Sequence, residues 1–230
     1  MGQHVLPGNP PLQITLRQSS RARRISLRVS GVDGKVTLTI PRGVEEREAL
    51  NFASEKEGWL RTQLTRQPDK VQISIGAQIE VDGQVLRIVA GSGRGLRIEG
   101  DQLIVSGRAE TLPARVQAWL KTRARDRLAA ASDHYAAQVG RSYARLTLRD
   151  TRSRWGSCSS QKGLMYSWRL IMAPPEVLDY VAAHEVAHLV EMNHSPAFWA
   201  VVERLYPNYH APRQWLRQNG AALHRYRFND

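Results

Sequence analysis

The sequence of 230 residues holds a single cysteine, Cys158, and only five lysines, at positions 35, 56, 70, 121 and 162. One cysteine excludes an internal disulfide and agrees with a reducing compartment. No apolar run approaches the roughly 18 to 20 residues needed to cross a bilayer, so no membrane partner is expected. The first residues, MGQHVLPGNPPLQ, lack a basic segment followed by an apolar stretch, and Leu6 stands where a myristoylation signal needs Ser or Thr. A cytoplasmic location is the expectation. No internal repeat or low-complexity segment is visible.

What is present is a core-forming composition, 42% hydrophobic and 23% charged, with a formal net charge of +12 that rests mostly on arginine. Such a balance can draw nucleic acid or acidic partners through the summed field. The plainer alternative is a solvated arginine-rich surface, since the arginines form no long block and the densest cluster is RARR, Arg21 to Arg24.

Hydrophobic patterning predicts an α+β protein. The runs LQITLR, RISLRVS and KVTLTI read as strands, with Val32-Asp33-Gly34 as turn chemistry, and a helix is expected over residues 45–64. VQISI, QIEV, VLRIVA, LRIE and LIVS then read as a β-meander with hairpin signals at Asp82-Gly83 and Gly100-Asp101. GSGRG, Gly91 to Gly95, sits between two of these strands and lacks the following helix that a phosphate-binding loop requires. Near Thr111 a long helix begins and runs to about Val139, where Gly140 stops it. ARLTLRD is read as a strand, TRSRWGSCSSQKG as a loop and LMYSWRL as another strand. The expected organisation is a β-rich region with one helix over residues 1–110, followed by a second region over 111–230 in which a helix packs on a small sheet.

The chemistry concentrates in HEVAHLVEMNH, residues 184–194, with three of the chain's seven histidines. Pro174-Pro175-Glu176 opens a helix, because proline is tolerated where the N–H has no partner. On that helix His184 and His188, four apart, share a face and can direct two imidazole nitrogens at one ion. Glu185, about 100° round the helix, is placed to take a proton from water rather than to ligate. A catalytic zinc normally has three protein ligands and an open position. His194 is the preferred third, since Met192-Asn193 reads as a helix stop and Ser195-Pro196 as the cap of the next helix. Glu203 on that next helix is the rival, and Glu191 a weaker one. The implied reaction is amide hydrolysis, with zinc making water acidic, Glu185 accepting its proton and later returning it to the leaving amine.

Trp155-Gly156-Ser157-Cys158 has a superficial likeness to a cysteine-protease neighbourhood. That arrangement needs its histidine about 130 to 150 residues downstream, and 230 − 158 leaves 72. Cys158 therefore reads as a small structural residue. Tyr206, Tyr209 and His210 are polar groups able to reach the site, or else residues that pack the last helix.

RWGSC from Arg154, the segment YSWRLIMAPPEVLDYVAAHEVAHLVEMNHSPAFW from Tyr166 to Trp199, and YPNY from Tyr206 together resemble the YgjP-like metallopeptidases, a zinc-dependent hydrolase family related to SprT-like proteases. RRISLRV and EKEGWL extend the likeness into the first half of the chain. The resemblance implies that residues 111–230 form a zincin-like catalytic region with its metal-binding helix packed on the small sheet, a peptide or protein substrate, Zn2+ held by His184, His188 and His194, and Glu185 as general base. It also implies that an extended peptide can add alongside LMYSWRL, in which Ser167 departs from the expected asparagine. Two other functions stand beside an active peptidase: a DNA-associated SprT-type protease using the basic surface, and a non-catalytic zinc-binding module.

Overall fold

The computed structural model of the chain describes residues 2–65 and 67–228. It divides into two compact units, residues 1–69 and 70–230, each with its own apolar core.

In the first unit, β1 (Gly2–Leu6), β2 (Leu12–Gln18), β3 (Ser26–Val29) and β4 (Val36–Ile40) form one sheet in the order β1-β2-β4-β3. The register pairs Ile14 with Val36 and Leu16 with Leu38. Alternation along each strand thus gathers the apolar side chains on one face. Helices α1 (Glu46–Glu55) and α2 (Glu57–Thr65) supply Ala49, Ala53 and Leu60 to the same core. The single helix expected over 45–64 is interrupted at Lys56, whose backbone leaves the α region (φ −95°, ψ 10°). Gly58, a poor helix former, follows at once.

The second unit opens with β5 (Val71–Gln72), β6 (Gln78–Val81), β7 (Gln84–Gly91), β8 (Leu96–Glu99) and β9 (Gln102–Ser106). The hairpins β6–β7 and β8–β9 form as the turn signals predict, but the sheet is not a meander. Its order is β6-β7-β9-β8, with β9 parallel to β7. Turn chemistry specifies which sequence neighbours pair; it does not say which strand inserts beside β7. Strands β1 to β4 have the same order and pairing senses, a repeated topology with no visible sequence period. Because β6 to β9 belong to the second core, the compact units meet at residue 69/70, earlier than the composition change near 110.

Helix α3 (Leu112–Gln138) buries Leu112, Val116, Leu120, Ala124 and Leu128, one residue every four, and ends before Gly140 at φ 62°. That spacing gives a single stripe facing the core. Then come β10 (Arg145–Arg149), β11 (Gly156–Cys158) and β12 (Gly163–Ser167), forming a sheet in the order β10-β12-β11. Only the first residues of LMYSWRL are strand; Trp168–Met172 is a 3-10 turn, fully buried. Within it Arg169 donates twice to Asp150, Nε to Oδ1 at 2.7 Å and Nη2 to Oδ2 at 3.1 Å, and Nη1 donates to the Leu223 carbonyl at 2.9 Å. Helices α4 (Pro175–Ala187), α5 (Pro196–Leu205) and α6 (His210–Asn219) follow, and β13 (Tyr226–Arg227) pairs with β5. Helices and sheets in these proportions make the fold α+β. Among the described residues no helix is long and apolar enough to cross a membrane.

Candidate metal centre

Helix α4 is apolar nearly all round, with Val177, Leu178, Val181, Ala182, Ala183 and Val186 buried, which makes it a central element rather than a surface one. It starts at Pro175 as expected. Its regular part ends at Ala187, earlier than the stop expected at Met192-Asn193, but His188 keeps helical angles (φ −67°, ψ −13°). The one-turn spacing of His184 and His188 therefore survives. Successive tight turns, Leu189 N–H to the Val186 carbonyl and Val190 N–H to that of Ala187, bend the chain back. Asn193 accepts from the Ser195 N–H at 3.0 Å, and Ser195 caps α5 by accepting from Phe198 N–H at 3.4 Å. This corner returns His194 over α4.

His184, His188 and His194 thus each offer a ring nitrogen, and the three lie within 4.8 Å of one another. Nε2 of His184 and Nε2 of His194 face each other at 3.1 Å. His188 donates from Nδ1 to the Glu191 carbonyl at 2.9 Å, which fixes the tautomer and leaves its Nε2 lone pair free. Glu191 thus acts through its backbone. Glu203 is exposed on α5 and outside the cluster, because its position on the helix turns it away from the corner that carries His194.

The three rings share a floor. Phe198, fully buried, has its ring centroid 4.9 Å from that of His184, 4.4 Å from His188 and 4.8 Å from His194. Burial, with the other two imidazoles and Arg213, lowers the His184 pKa to about 3, and burial lowers that of His188. Both rings are neutral near neutrality, as ligation requires. Among the described residues His184 Nδ1 is buried without a hydrogen-bond partner. Three neutral, partly desolvated imidazoles with their nitrogens gathered so closely are a donor set that fits a divalent metal.

Glu185 is 95% buried beside them, its exposure being 5%. Burial pushes its pKa up to about 8, opposed by Arg154 and by a hydrogen bond from the Cys158 N–H; a cation in the cluster would pull it down again. The carboxylate lies against β11, a strand inside the segment expected to be a loop; Gly-Ser-Cys has no β-branched residue to signal it. A β-carbon on Gly156 would stand 2.5 Å from Glu185 Oε1 and 2.6 Å from its Cγ. Cys158 is half-buried on the same strand, and burial, with the Glu185 charge, raises its thiol pKa to about 11. It is no thiolate nucleophile.

β11 is one of the two outer strands of the sheet, β10 the other, and β11 is the one beside Glu185, which takes the Cys158 N–H. β12 pairs with β10 on one side and β11 on the other, so LMYSWRL has no edge free for a peptide. Trp155 and Ser159 hydrogen-bond to β12 through Ser167 N–H to the Trp155 carbonyl and Ser159 N–H to the Gly163 carbonyl. By antiparallel alternation Gly156 and Cys158 turn their backbone groups to the open side. Two recesses meet at Gly156, His184 and Glu185: one of about 220 Å3 that takes in His188 and His194, and one of about 230 Å3 bordered by Arg154, Trp155 and Tyr180. Tyr209 is buried and stacked between Tyr180 and Trp199, with His210 stacked on it, so these residues pack the helices together.

Three imidazoles from a helix and the corner after it, with a buried carboxylate alongside and a strand edge across the cleft, make the arrangement of a metal-dependent hydrolase. The YgjP-like metallopeptidase domain family matches residues 23–219, and the chain belongs to that family. It is a metal-dependent peptidase by that membership. The match runs through both compact units, so the first is part of the family's domain and no appendage. No curated protein matches the chain. Among solved structures, the metallopeptidase zymogen abylysin of Pyrococcus abyssi is 21% identical, covering 40% of this chain and 92% of that one at a TM-score of 0.36.

Proposed function

We propose that the protein is a zinc peptidase in which His184, His188 and His194 hold the ion and Glu185 is the general base. The convergence of three ring nitrogens beside the Glu185 carboxylate carries this reading. Three protein donors is the number at catalytic zinc, whereas structural zinc has four. Zinc supplies Lewis acidity and brings the acidity of water toward neutral pH.

The chain's own groups do the rest. Glu185, held by the Cys158 N–H, takes a proton from water and later delivers it to the leaving amine. The Glu191 carbonyl keeps the His188 ring turned to the cluster. A substrate segment in extended form adds along the outer edge of β11, where the Gly156 backbone can hydrogen-bond it beside the Glu185 carboxylate. The flanking recesses receive the side chains on either side of the scissile bond.

The test is elemental analysis with proteolysis of an unstructured protein such as casein. One zinc per chain and cleavage by the wild type are expected, with Glu185→Gln retaining zinc and losing about 100-fold or more in rate. Equal proteolysis by wild type and Glu185→Gln, or a chain that takes up no zinc, overturns the reading.

A further inference from the structure

The pleat of the β10-β12-β11 sheet sorts its residues into two unlike faces. Leu146, Leu148, Leu164, Tyr166, Gly156 and Cys158 face the core: Tyr166 hydrogen-bonds Ser132 of α3 at 3.0 Å, and Gly156 lies against Glu185 of α4. The alternate residues, Arg145, Thr147 and Arg149 of β10, Met165 of β12, and Ser157 of β11, face the other way. They line a recess of about 280 Å3 together with Arg154.

This face is built to leave guanidinium groups available. Arg145 Nε lies 3.3 Å from where a β-carbon on Gly163 would stand, and Ser159 Oγ 3.2 Å from it. The glycine thus lets the arginine lie across the sheet toward β11. Arg145, Arg149 and Arg154 are exposed, and among the described residues none of them forms an ion pair with a carboxylate. Arg154 also borders the recess beside His184 and Glu185, so the basic face runs on to the proposed cleavage site. Guanidinium forks match carboxylates in geometry as well as charge.

A peptide lying along β11 has period 2, so every second side chain falls on the Ser157 side of the sheet, the side across which Arg145 reaches from β10 over Gly163. We propose that this arginine face is a specificity subsite that selects Asp or Glu at alternate positions of the bound peptide. The inference rests on the peptidase reading and on the β11 edge as the substrate's place, and it defines the substrate class as acidic extended segments. Acidic side chains favour an arginine face over the opposite, apolar one, and the strand edge gives a polypeptide a register that a nucleic acid backbone lacks.

The experiment uses two matched quenched peptides that differ only in carrying Asp or Lys at two positions two residues apart. The wild type is expected to cleave the Asp peptide roughly tenfold more efficiently in kcat/KM, as two partly solvated ion pairs allow, and the gap should shrink as salt is raised. Arg145→Glu/Arg149→Glu should invert the ratio while thermal melting reports an intact fold; should that variant melt early, Arg145→Gln/Arg149→Gln serves in its place and should abolish the preference. An unchanged ratio in the variant, or no preference in the wild type, overturns the proposal. Anisotropy of the labelled Asp peptide on zinc-loaded Glu185→Gln protein, with and without the arginine substitutions, reads the subsite without turnover. If neither peptide is cleaved but binding weakens about tenfold on substitution, the hydrolase reading fails and the subsite stands. If a short duplex DNA binds this face more tightly than the Asp peptide and is lost with the same arginines, the face belongs to nucleic acid and the subsite falls.

Discussion

Gly156 and Glu185 are packed so closely that no side chain fits between them: a β-carbon on the glycine would lie within 2.7 Å of three carboxylate side-chain atoms. The Glu185 carboxylate is therefore positioned from the strand side by the absence of an atom. Gly156→Ala should move the carboxylate while leaving the three histidines in place. Zinc content stays at wild-type level, and kcat falls by about 100-fold, the usual cost of a displacement near 1 Å. Full activity in this variant would mean that Glu185 is not held against β11 during turnover.

The corner at Met192-Asn193, not the downstream helix, brings the third donor of the cluster, His194, to the other two histidines, and the proposed ligand set follows from it. His194→Ala should weaken zinc binding by more than about 100-fold, beyond the effect of losing an outer partner. Glu203→Ala should leave the affinity unchanged, since the carboxylate is exposed and outside the cluster. A competition titration with a chelator reads both; a zinc loss on Glu203→Ala alone would exchange their roles.

Phe198 touches all three imidazoles and is the floor on which they converge. Phe198→Leu keeps an apolar filler but loses ring contact, and a cost of about 1 to 3 kcal/mol in stability is expected. Zinc affinity should drop with it, by about tenfold, because the rings gain freedom they must surrender on binding. Denaturant melts of the metal-free protein and zinc titration separate the two effects.

The pH dependence of the metal-free protein has a defined sign. Glu185 has a folded pKa raised to about 8 from 4.5, so the folded chain binds the extra proton between these values. The stability this group contributes is complete below pH 4.5 and is lost as pH rises through 8. Metal-free Glu185→Gln should therefore melt progressively higher than metal-free wild type as pH increases from 4.5 to 8, a gain of a few kcal/mol. Zinc should shrink the difference by favouring the ionised carboxylate. A difference that narrows with rising pH would place Glu185 in a polar setting instead.

Residues near one another in the chain were readable from spacing and turn chemistry. Four-residue separation on a helix puts His184 over His188, Ser195-Pro196 starts the next helix, and the bend between them aims His194, all within thirteen positions. The α3 stripe and the hairpins at Asp82-Gly83 and Gly100-Asp101 follow from the same short-range rules. Non-local pairings were not readable. The parallel insertion of β9 beside β7, the division at residue 69/70 and the strand at Gly156–Cys158 depend on partners distant in sequence.

The amino-acid sequence by itself determined that His184, His188 and His194 come together and on which helix, because helical periodicity and caps act over one or two turns and need no other part of the chain. The tertiary structure alone decided that β11 is an outer strand, how Glu185 is buried against Gly156, and that Arg145 and Arg149 share one side of a sheet with Arg154 near its rim. Those relations arise when strands pair across long separations, where side-chain pattern permits several partners and only the packing of the whole core selects one.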